Sequence, residues 1–340
     1  AALINVSPKF IVFTGGGTEA NMTALSPELV AANKPGSNPE DIVLFISEIE
    51  HPCVLSGGRF RSDKIRKLPV SGEGVVILSD LEEILTTFKK ENPDTPFLVS
   101  VMLANNETGA IQPVPAIAEL VHEHGGLLHT DAVQCAGKIA IDCQTLGADL
   151  ISLSAHKTGG PQGVGALALG SGKLVIGQPV LKGGGQELNR RAGTENVAGI
   201  AGFGAAAEEA ANELGAIKEI ERLRDRLESE LLVAAPELTI FANNIERLPN
   251  TSCIAVAGLT AETLLIALDL KGIAVSSGSA CSSGKVDSSH VLKAMGVDGD
   301  LLQSAIRISL GWNSKEQDVD RFVTAWTDIY KKFRNSRAAA

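Results

Sequence analysis

Short apolar runs rich in β-branched residues alternate with segments of helical periodicity along the first half of the chain. Such runs, bounded by turn residues, are typical of strands buried on both faces of a parallel sheet. Strands are predicted at residues 10–13, 42–46, 97–102, 127–130, 149–154 and 164–169. Helices are predicted from about residue 18, over 79–90 from a Ser-Asp-Leu-Glu capping box, and over 114–124. The alternation predicts an α/β fold with a mostly parallel sheet covered on both faces.

The pattern changes after about residue 205. A stretch rich in Ala, Glu and Arg over residues 205–232 predicts one long helix. Further strands are predicted at 238–241, 252–256 and 305–309, and further helices over 260–270 and from a capping box at 314–317 to about 333. We therefore predict a large α/β domain over residues 1–205. Residues 206–340 are predicted to form a long linking helix and a small C-terminal α+β domain.

The composition excludes several classes of protein. Hydrophobic residues make up 44% and charged residues 21% of the 340 positions, which is typical of a soluble globular protein and not of a disordered chain. Uncharged stretches are shorter than the roughly 18–20 residues that a membrane span needs. Aromatic residues make up 4% and the net charge is −10, whereas nucleic-acid binders usually have basic surfaces with stacking aromatics. We predict neither a membrane nor a nucleic-acid partner.

Five cysteines stand at positions 53, 135, 143, 253 and 281. Their number is odd, their spacing is irregular and no Cys-x-x-Cys pair occurs, so neither a disulfide framework nor a zinc site is expected. They suit a reducing cytoplasm and allow one reactive thiol. The sequence starts without Met and shows no signal peptide. We predict a cytoplasmic protein without a bound metal.

Three segments at predicted strand ends could carry chemistry, because ligands of open α/β sheets lie at the carboxyl ends of the strands. Gly15-Gly16-Gly17 precedes a helix and is either a structural turn or a phosphate site, although no Lys follows it as in a Walker A loop.

Lys157 follows the strand at 149–154 among small residues. It is interpreted as withdrawn from solvent and able to form a Schiff base, or else as a surface lysine near a turn. Asp131 is either a turn residue or the partner of a pyridinium nitrogen. A phosphate loop, an Asp and a Lys at the ends of strands of one sheet together predict pyridoxal 5'-phosphate as the cofactor.

Further motifs resemble one enzyme family. Ser154-Ala-His-Lys157, followed by Gly160-Pro-Gln-Gly163, resembles the cofactor-lysine motif of the class V aminotransferases. Within that family, Ser276-Ser-Gly-Ser-Ala-Cys281 and Ile306-Arg-Ile-Ser-Leu-Gly311 resemble cysteine desulfurases of the NifS/IscS type. Other matches, in the same order, are Thr18-Glu-Ala-Asn21, Glu50-His51, Asn105-Asn-Glu-Thr-Gly109, Asp131-Ala-Val-Gln134 and Arg191-Ala-Gly-Thr194. The resemblance covers nearly the whole chain, but the family's usual N-terminal Asn-Asn-Ala-Thr-Thr-like motif is absent from this sequence.

The resemblance implies pyridoxal-phosphate fold type I and a role for each matched residue. Lys157 would bind the cofactor covalently and then move protons as general base and acid. Asp131 would pair with the pyridine nitrogen, and His51 would lie over the ring and move protons. The residues implied near the ring oxygen are Gln134 and Asn106. The groups implied at the phosphate are Thr18, Ser154, His156 and the Gly17 backbone.

Substrate residues are implied in the same way. Arg307 would hold the substrate α-carboxylate, as arginine is a natural bidentate partner of a carboxylate, with Asn106 beside it. Thr194 would reach the phosphate of a neighbouring subunit, which implies a homodimer. Cys281, in a Gly/Ser-rich stretch, would be the mobile nucleophile. The alternatives are a structural ion pair for Arg307, a helix cap for Thr194 and an incidental loop cysteine for Cys281. For His51 and His156 the alternative is a core or turn histidine whose hydrogen bonds are satisfied.

These residues together predict a cysteine desulfurase. L-cysteine would be converted to L-alanine, and a persulfide on Cys281 would pass to an acceptor, such as an iron–sulfur scaffold protein, for cluster or thio-cofactor assembly. The alternatives are a selenocysteine lyase, another class V lyase or aminotransferase, and a non-catalytic partner of a sulfur-transfer complex. A nicotinamide dehydrogenase is disfavoured because the dinucleotide-binding fingerprint is missing.

Overall fold

The computed structural model describes residues 1–170, 174–277 and 288–338 and groups the chain into two units. Unit 1 consists of Ala1–Val70, Val75–Ala104 and Gln112–Leu214. Unit 2 consists of Ser71–Gly74, Asn105–Ile111 and Gly215–Ala340. Two short segments from the first half of the chain therefore belong to unit 2.

Unit 1 is built on a sheet to which seven strands of the described residues contribute. They are β1 (Ile11–Thr14), β2 (Val43–Ser47), β3 (Ile65–Leu68), β4 (Phe97–Ser100), β5 (Leu127–Asp131), β6 (Leu150–Ser154) and β7 (Gly165–Leu169). Their order is β1-β7-β6-β5-β4-β2-β3, and only β7 runs antiparallel to its neighbours. The predicted mostly parallel sheet is confirmed, and its strands β1, β2, β4, β5 and β6 all end at the same edge.

Helices cover both faces of this sheet, because the side chains of each strand alternate between the faces. The helices of unit 1 are α1 (Gly17–Ala24), α2 (Pro27–Asn33), α3 (Pro52–Leu55), α4 (Leu78–Glu91), α5 (Val114–Glu123), α6 (Cys143–Leu146), α7 (Gln186–Asn189) and α8 (Val197–Glu213). Leu44 and Ile46 of β2 pack in one cluster with residues of α1, α2 and α3. Phe45, between them, forms edge-to-face contacts with Phe88 of α4 and Phe97 of β4.

Unit 2 contains a second, antiparallel sheet in the order β10-β11-β9-β8. Its strands are β8 (Thr239–Ile240), β9 (Thr251–Ala255), β10 (Ser276–Ser277) and β11 (Ile306–Ser309). Its helices are α9 (Ile217–Ala234), α10 (Ala261–Asp269), α11 (His290–Ala294), α12 (Gly299–Ser304) and α13 (Glu316–Ala338). One apolar core joins the sheet to α9, α10 and α13, with Trp326 fully buried and stacked on Tyr330.

Three sequence-based expectations about helices are wrong. α4 begins at Leu78, so Ser79 lies inside the first turn and forms no cap. The helix predicted over 205–232 is two helices, α8 and α9, separated by a 3₁₀ turn at Leu214–Ala216. Gly215 lies in this turn, and glycine is a poor helix former because it loses the most backbone freedom. The last helix, α13, extends to Ala338, beyond the predicted end at 333.

A buried ion pair stabilises unit 2, and its loss is expected to be costly. Arg247 and Glu228 are 5% and 7% exposed, and two parallel N–H···O bonds of 2.7 and 2.8 Å join them. Glu228→Ala leaves a buried guanidinium without its partner, so we expect a loss of about 3–5 kcal/mol of unfolding free energy. Urea unfolding followed by the fluorescence of buried Trp326 measures it.

The matched control is Glu219→Ala, which removes a partner of Arg222 from a pair that is 50% and 59% exposed. Solvent screens this pair, so the control should unfold at nearly the wild-type urea concentration. Equal midpoints for the two variants would contradict the account of the buried pair.

Candidate active site

The glycine loop lies against the ends of three strands in unit 1. Thr14 of β1 pairs with Gly165 of β7, which pairs with Ser154 of β6, so the three residues lie side by side at one edge of the sheet. A Cβ atom on Gly17 would come within 3.0 Å of Val133 Cγ2 and 3.2 Å of Ser154 Cβ. A side chain at position 17 would therefore press against Val133 and Ser154, and only glycine lets the loop approach them this closely.

The loop leads into α1, whose N-terminus carries the positive end of the helix dipole. Thr18, in the first turn, is exposed. Glu19 accepts a hydrogen bond of 2.7 Å from the Gly15 N–H and pairs with Arg191 through two bonds of 2.8 and 3.2 Å. Sequence reasoning missed this ion pair, which fixes the Arg191–Thr194 motif to the glycine loop. Thr194 itself is exposed.

The segment after β6 brings three predicted residues together. Ser154 is buried, and its Oγ lies 2.9 Å from Nδ1 of His156. A 3₁₀ turn, Ala155–Lys157, then carries the chain beyond the sheet edge. Lys157 and His156 are both exposed. The expectation that Lys157 is withdrawn from solvent is therefore wrong for the single chain, because the turn extends past the packed ends of the strands.

Asp131 ends β5 and is 6% exposed. Its Oδ1 accepts from the Val133 N–H at 2.9 Å, and its Oδ2 accepts from the Asn21 amide at 2.7 Å. Burial raises the pKa of Asp131, although these two donors and the nearby His51 oppose the shift. No lysine or arginine of the described residues forms an ion pair with this carboxylate. A cation bound next to Asp131 would keep this buried carboxyl group ionised.

His51 lies at the start of α3, where its Nδ1 accepts from the Cys53 N–H at 3.2 Å. The preceding residue, Glu50, is fully buried, and its Oε1 accepts from the Ser47 hydroxyl and the Met102 N–H, both at 2.6 Å. Burial raises the pKa of Glu50 to about 8.

Gln134 lies in the turn that follows Asp131, and its Oε1 accepts from the Lys138 ammonium at 3.2 Å. The structure thus collects in unit 1 the predicted residues Gly17, Thr18, His51, Asp131, Gln134, Ser154, His156, Lys157 and Thr194. Two other predicted residues, Asn106 and Arg307, belong to unit 2.

Arg307 is held in unit 2 by neutral groups. Its Nη1 donates to the Asn106 carbonyl at 2.7 Å and its Nη2 donates to the Ser276 hydroxyl at 3.3 Å. Nε is buried without a hydrogen-bond partner, and no carboxylate of the described residues forms an ion pair with Arg307. A half-buried guanidinium with an unsatisfied N–H suits an incoming carboxylate.

Glu107 lies beside this arginine and was not predicted from the sequence. Its Oε2 accepts from the Ser289 hydroxyl at 2.5 Å. Burial raises the pKa of Glu107 to about 7, against the effects of Ser289 and the charge of Arg307. Glu107 lies within the family motif at residues 105–109, so the sequence pointed to this segment. Its partner Ser289 lies 182 positions away and could not be predicted from a local motif.

Cys281, the predicted nucleophile, lies outside the described residues. The other four cysteines are free thiols, and burial raises the pKa of each: to about 11 for Cys53 and Cys143, and further for Cys135 and Cys253. In the described ranges, no group of three or more His, Cys, Asp or Glu side chains could hold a metal ion. Within the same ranges, no helix has the length and apolar character that crossing a bilayer requires.

The residues of unit 1 fit pyridoxal phosphate. Glycine at position 17 lets the loop backbone pack closely on Val133 and Ser154, so its N–H groups lie at the positive end of the α1 dipole, near the hydroxyl of Ser154. Asp131 is a buried carboxylate that lacks a lysine or arginine partner in the described residues, which suits a protonated ring nitrogen. Lys157 extends from the same sheet edge and supplies an amine.

Known proteins are similar to this chain over almost its full length. The protein "Cysteine desulfurase" of Sinorhizobium fredii is 42% identical over 332 residues, covering 96% of this chain and 82% of that protein. The "Cysteine desulfurase IscS" of Clostridium botulinum is 38% identical, covering 97% of this chain and 81% of that protein.

Solved structures agree with the sequence comparison. A NifS-like protein from Rickettsia africae superposes with a TM-score of 0.82 at 34% identity, covering 97% of this chain and 85% of its own. A second NifS-like protein gives 0.84 at 37% identity, with the same coverage of both chains. The family described as "Aminotransferase class-V" matches residues 1–322. With this match and the strand-end residues of unit 1, the chain belongs to the class V aminotransferase family, whose motifs its sequence carries in order.

Proposed function

We propose that the chain is a pyridoxal-phosphate-dependent cysteine desulfurase. The observation that carries this proposal is the buried Asp131 at the sheet edge that also presents the glycine loop, Ser154 and Lys157. Full-length similarity to proteins named cysteine desulfurase supports the choice of reaction within the family. L-cysteine and the Cys281 thiol would give L-alanine and a persulfide on Cys281, so that one sulfur atom is transferred.

The residues proposed to hold the cofactor form two groups, one at its phosphate and one at its pyridine ring. The phosphate would bind the Gly17 backbone and the side chains of Thr18, Ser154 and His156, near the N-terminus of α1. Asp131 would pair with the ring nitrogen, His51 would lie over the ring, and Gln134 and Asn106 would hydrogen-bond the ring oxygen. When bound, pyridoxal phosphate supplies an electron sink that makes the α-proton of an amino acid acidic.

Three side chains would carry out substrate binding, proton transfer and sulfur transfer. Arg307 would bind the α-carboxylate of cysteine through its two-pronged guanidinium, with Asn106 beside it. The Lys157 amine would hold the cofactor covalently and move the α-proton of the substrate. The Cys281 thiolate would attack the substrate sulfur, and the carbon–sulfur bond would break as alanine forms.

The proposed partners follow from this reaction. The persulfide on Cys281 needs an acceptor, and we propose a protein of iron–sulfur cluster or thio-cofactor assembly. Exposed Thr194, anchored near the glycine loop through Arg191 and Glu19, would complete the phosphate site of a second subunit in a homodimer. We place the enzyme in a reducing compartment, the cytoplasm, because the four described cysteines are free thiols.

Arg307→Ala tests carboxylate binding. Removing one partner of a buried charged pair typically costs about 2–5 kcal/mol, so the apparent affinity for cysteine should fall at least about thirtyfold. Arg307→Lys should show an intermediate loss, because it keeps the charge but not the bidentate geometry. Titration with cysteine, followed by the absorbance of the holoenzyme, measures both affinities.

The control is Arg334→Ala, which removes an exposed ion pair with Glu237. Unchanged cysteine affinity in Arg307→Ala would refute the role of Arg307.

Cys281→Ser tests the sulfur transfer. The variant should bind cysteine and change the cofactor spectrum, yet release no alanine and gain no sulfur. Mass spectrometry of the intact protein and its peptides, after brief exposure to cysteine without reductant, locates any added sulfur atom.

Wild-type activity should rise with pH until the Cys281 thiol is ionised, because the thiolate is the attacking form. Cys143→Ala is the matched control and should keep its persulfide on Cys281. Alanine release at the wild-type rate by Cys281→Ser would instead identify a lyase that needs no enzyme thiol.

A further inference from the structure

A chain of hydrogen bonds runs through unit 1 from Asp131 to His51. The Asn21 amide donates to Asp131 Oδ2 at 2.7 Å and to Cys53 Sγ at 3.2 Å. Cys53 Sγ in turn lies 3.0 Å from His51 Nδ1. The chain thus joins the residue proposed to pair with the ring nitrogen to the residue proposed to lie over the ring. Cys53 has no role in the function described so far.

The donors at the Asp131 end follow from the chemistry of the groups. An ionised carboxylate only accepts hydrogen bonds, so the NH₂ group of Asn21 must face Asp131. The second N–H of the same group then points to Cys53 Sγ, and the sulfur accepts it. Asn21 Oδ1 is buried without a hydrogen-bond partner among the described residues. A flipped amide would turn that oxygen toward the carboxylate and repel it.

The donors at the His51 end follow from the backbone. The Cys53 N–H donates to His51 Nδ1 at 3.2 Å, so Nδ1 is an acceptor. A neutral imidazole with Nδ1 as acceptor carries its proton on Nε2. In the contact of 3.0 Å between Sγ and Nδ1 the thiol is then the donor, so that the S–H and the Cys53 N–H share the one lone pair of Nδ1.

The surroundings keep the thiol protonated. Burial raises the pKa of Cys53 to about 11, and the nearby charges of Asp131 and Glu50 act in the same direction. The side chains of Asn21 and Thr18 hydrogen-bond the sulfur and oppose the shift without cancelling it. Cys53 is thus an S–H donor near neutral pH and not a second thiolate nucleophile.

We propose that Cys53 is a positioning residue: its S–H bond to Nδ1 holds the His51 ring in one orientation and, together with the Cys53 N–H, keeps the imidazole proton on Nε2. The inference rests on the proposed function, in which His51 lies over the cofactor ring and moves protons. Nε2–H is then the group that His51 presents for proton transfer. The position of the ring also depends on Asp131, through one amide and one thiol.

Infrared and NMR spectroscopy of the holoenzyme test this arrangement without turnover. The S–H stretch of Cys53, isolated as the wild-type minus Cys53→Ala difference, should lie below the frequency that it has in His51→Phe, where the acceptor is gone. In ¹⁵N-histidine-labelled protein, His51 should show the Nε2–H tautomer, its signals being identified by their absence in His51→Gln. An unshifted S–H band, or a proton on Nδ1, would overturn the proposal.

Steady-state kinetics provide the second test. Loss of one hydrogen bond that positions a proton-transfer group should lower kcat about tenfold in Cys53→Ala, with KM for cysteine within about twofold of wild type. Cys53→Ser keeps a donor at the same place and should restore kcat to within about threefold. The matched control is Cys143→Ala, which removes a buried thiol next to Asp142 that has none of these contacts.

The outcomes separate this inference from the proposed function. A wild-type protein that releases no alanine contradicts the desulfurase, while the spectra still decide the bonding of Cys53. Normal turnover with equal kcat in Cys53→Ala and Cys53→Ser overturns the positioning role and leaves the desulfurase intact. A restored kcat in Cys53→Ser together with a shifted S–H band supports the proposal.

Discussion

The buried carboxylate of Asp131 is the constraint on which the site in unit 1 depends. Removing an ionised carboxylate from water costs several kcal/mol unless donors or a cation offset the loss. The Val133 N–H and the Asn21 amide provide part of that compensation. Asn21 lies on α1, and α1 reaches the sheet edge because the loop before it has glycine at position 17, where a side chain would meet Val133 and Ser154. The position of the Asn21 donor, and with it the burial of Asp131, therefore depends on the glycine loop and on α1.

Two other buried carboxylates, Glu228 and Glu107, have environments that differ from that of Asp131, and the difference separates a structural role from a chemical one. Glu228 has Arg247 in a bidentate pair, which satisfies both groups. Glu107 receives one short bond from Ser289, and burial raises its pKa to about 7. Asp131 has neutral donors and no lysine or arginine partner in the described residues. Buried acids with perturbed pKa values are candidates for function, whereas the charge of Glu228 is already satisfied by its bidentate arginine.

Much of the fold could be predicted from the sequence, because buried strands appear as short apolar runs and family motifs mark the strand ends. The edge strand β3 was missed since two of its four residues, Arg66 and Lys67, are exposed and interrupt the apolar pattern. Continuity of the helix across Gly215 was predicted from composition, which does not reveal a local break. The pairing of Glu19 with Arg191 joins residues 172 positions apart, and no local pattern encodes it. Similarly, the Cys53 sulfur accepts a hydrogen bond from Asn21 of α1, 32 positions earlier in the chain.

Whether Asp131 holds a positively charged ring nitrogen can be measured directly. The protein is loaded with pyridoxal phosphate carrying ¹⁵N in its ring, and the ¹⁵N NMR shift of the lysine-bound cofactor reports whether that nitrogen is protonated. We expect a protonated nitrogen from neutral to mildly alkaline pH in the wild type, and loss of the proton in Asp131→Ala, because the carboxylate stabilises the cation. An unprotonated nitrogen in the wild type, or the same shift in both proteins, would contradict this expectation.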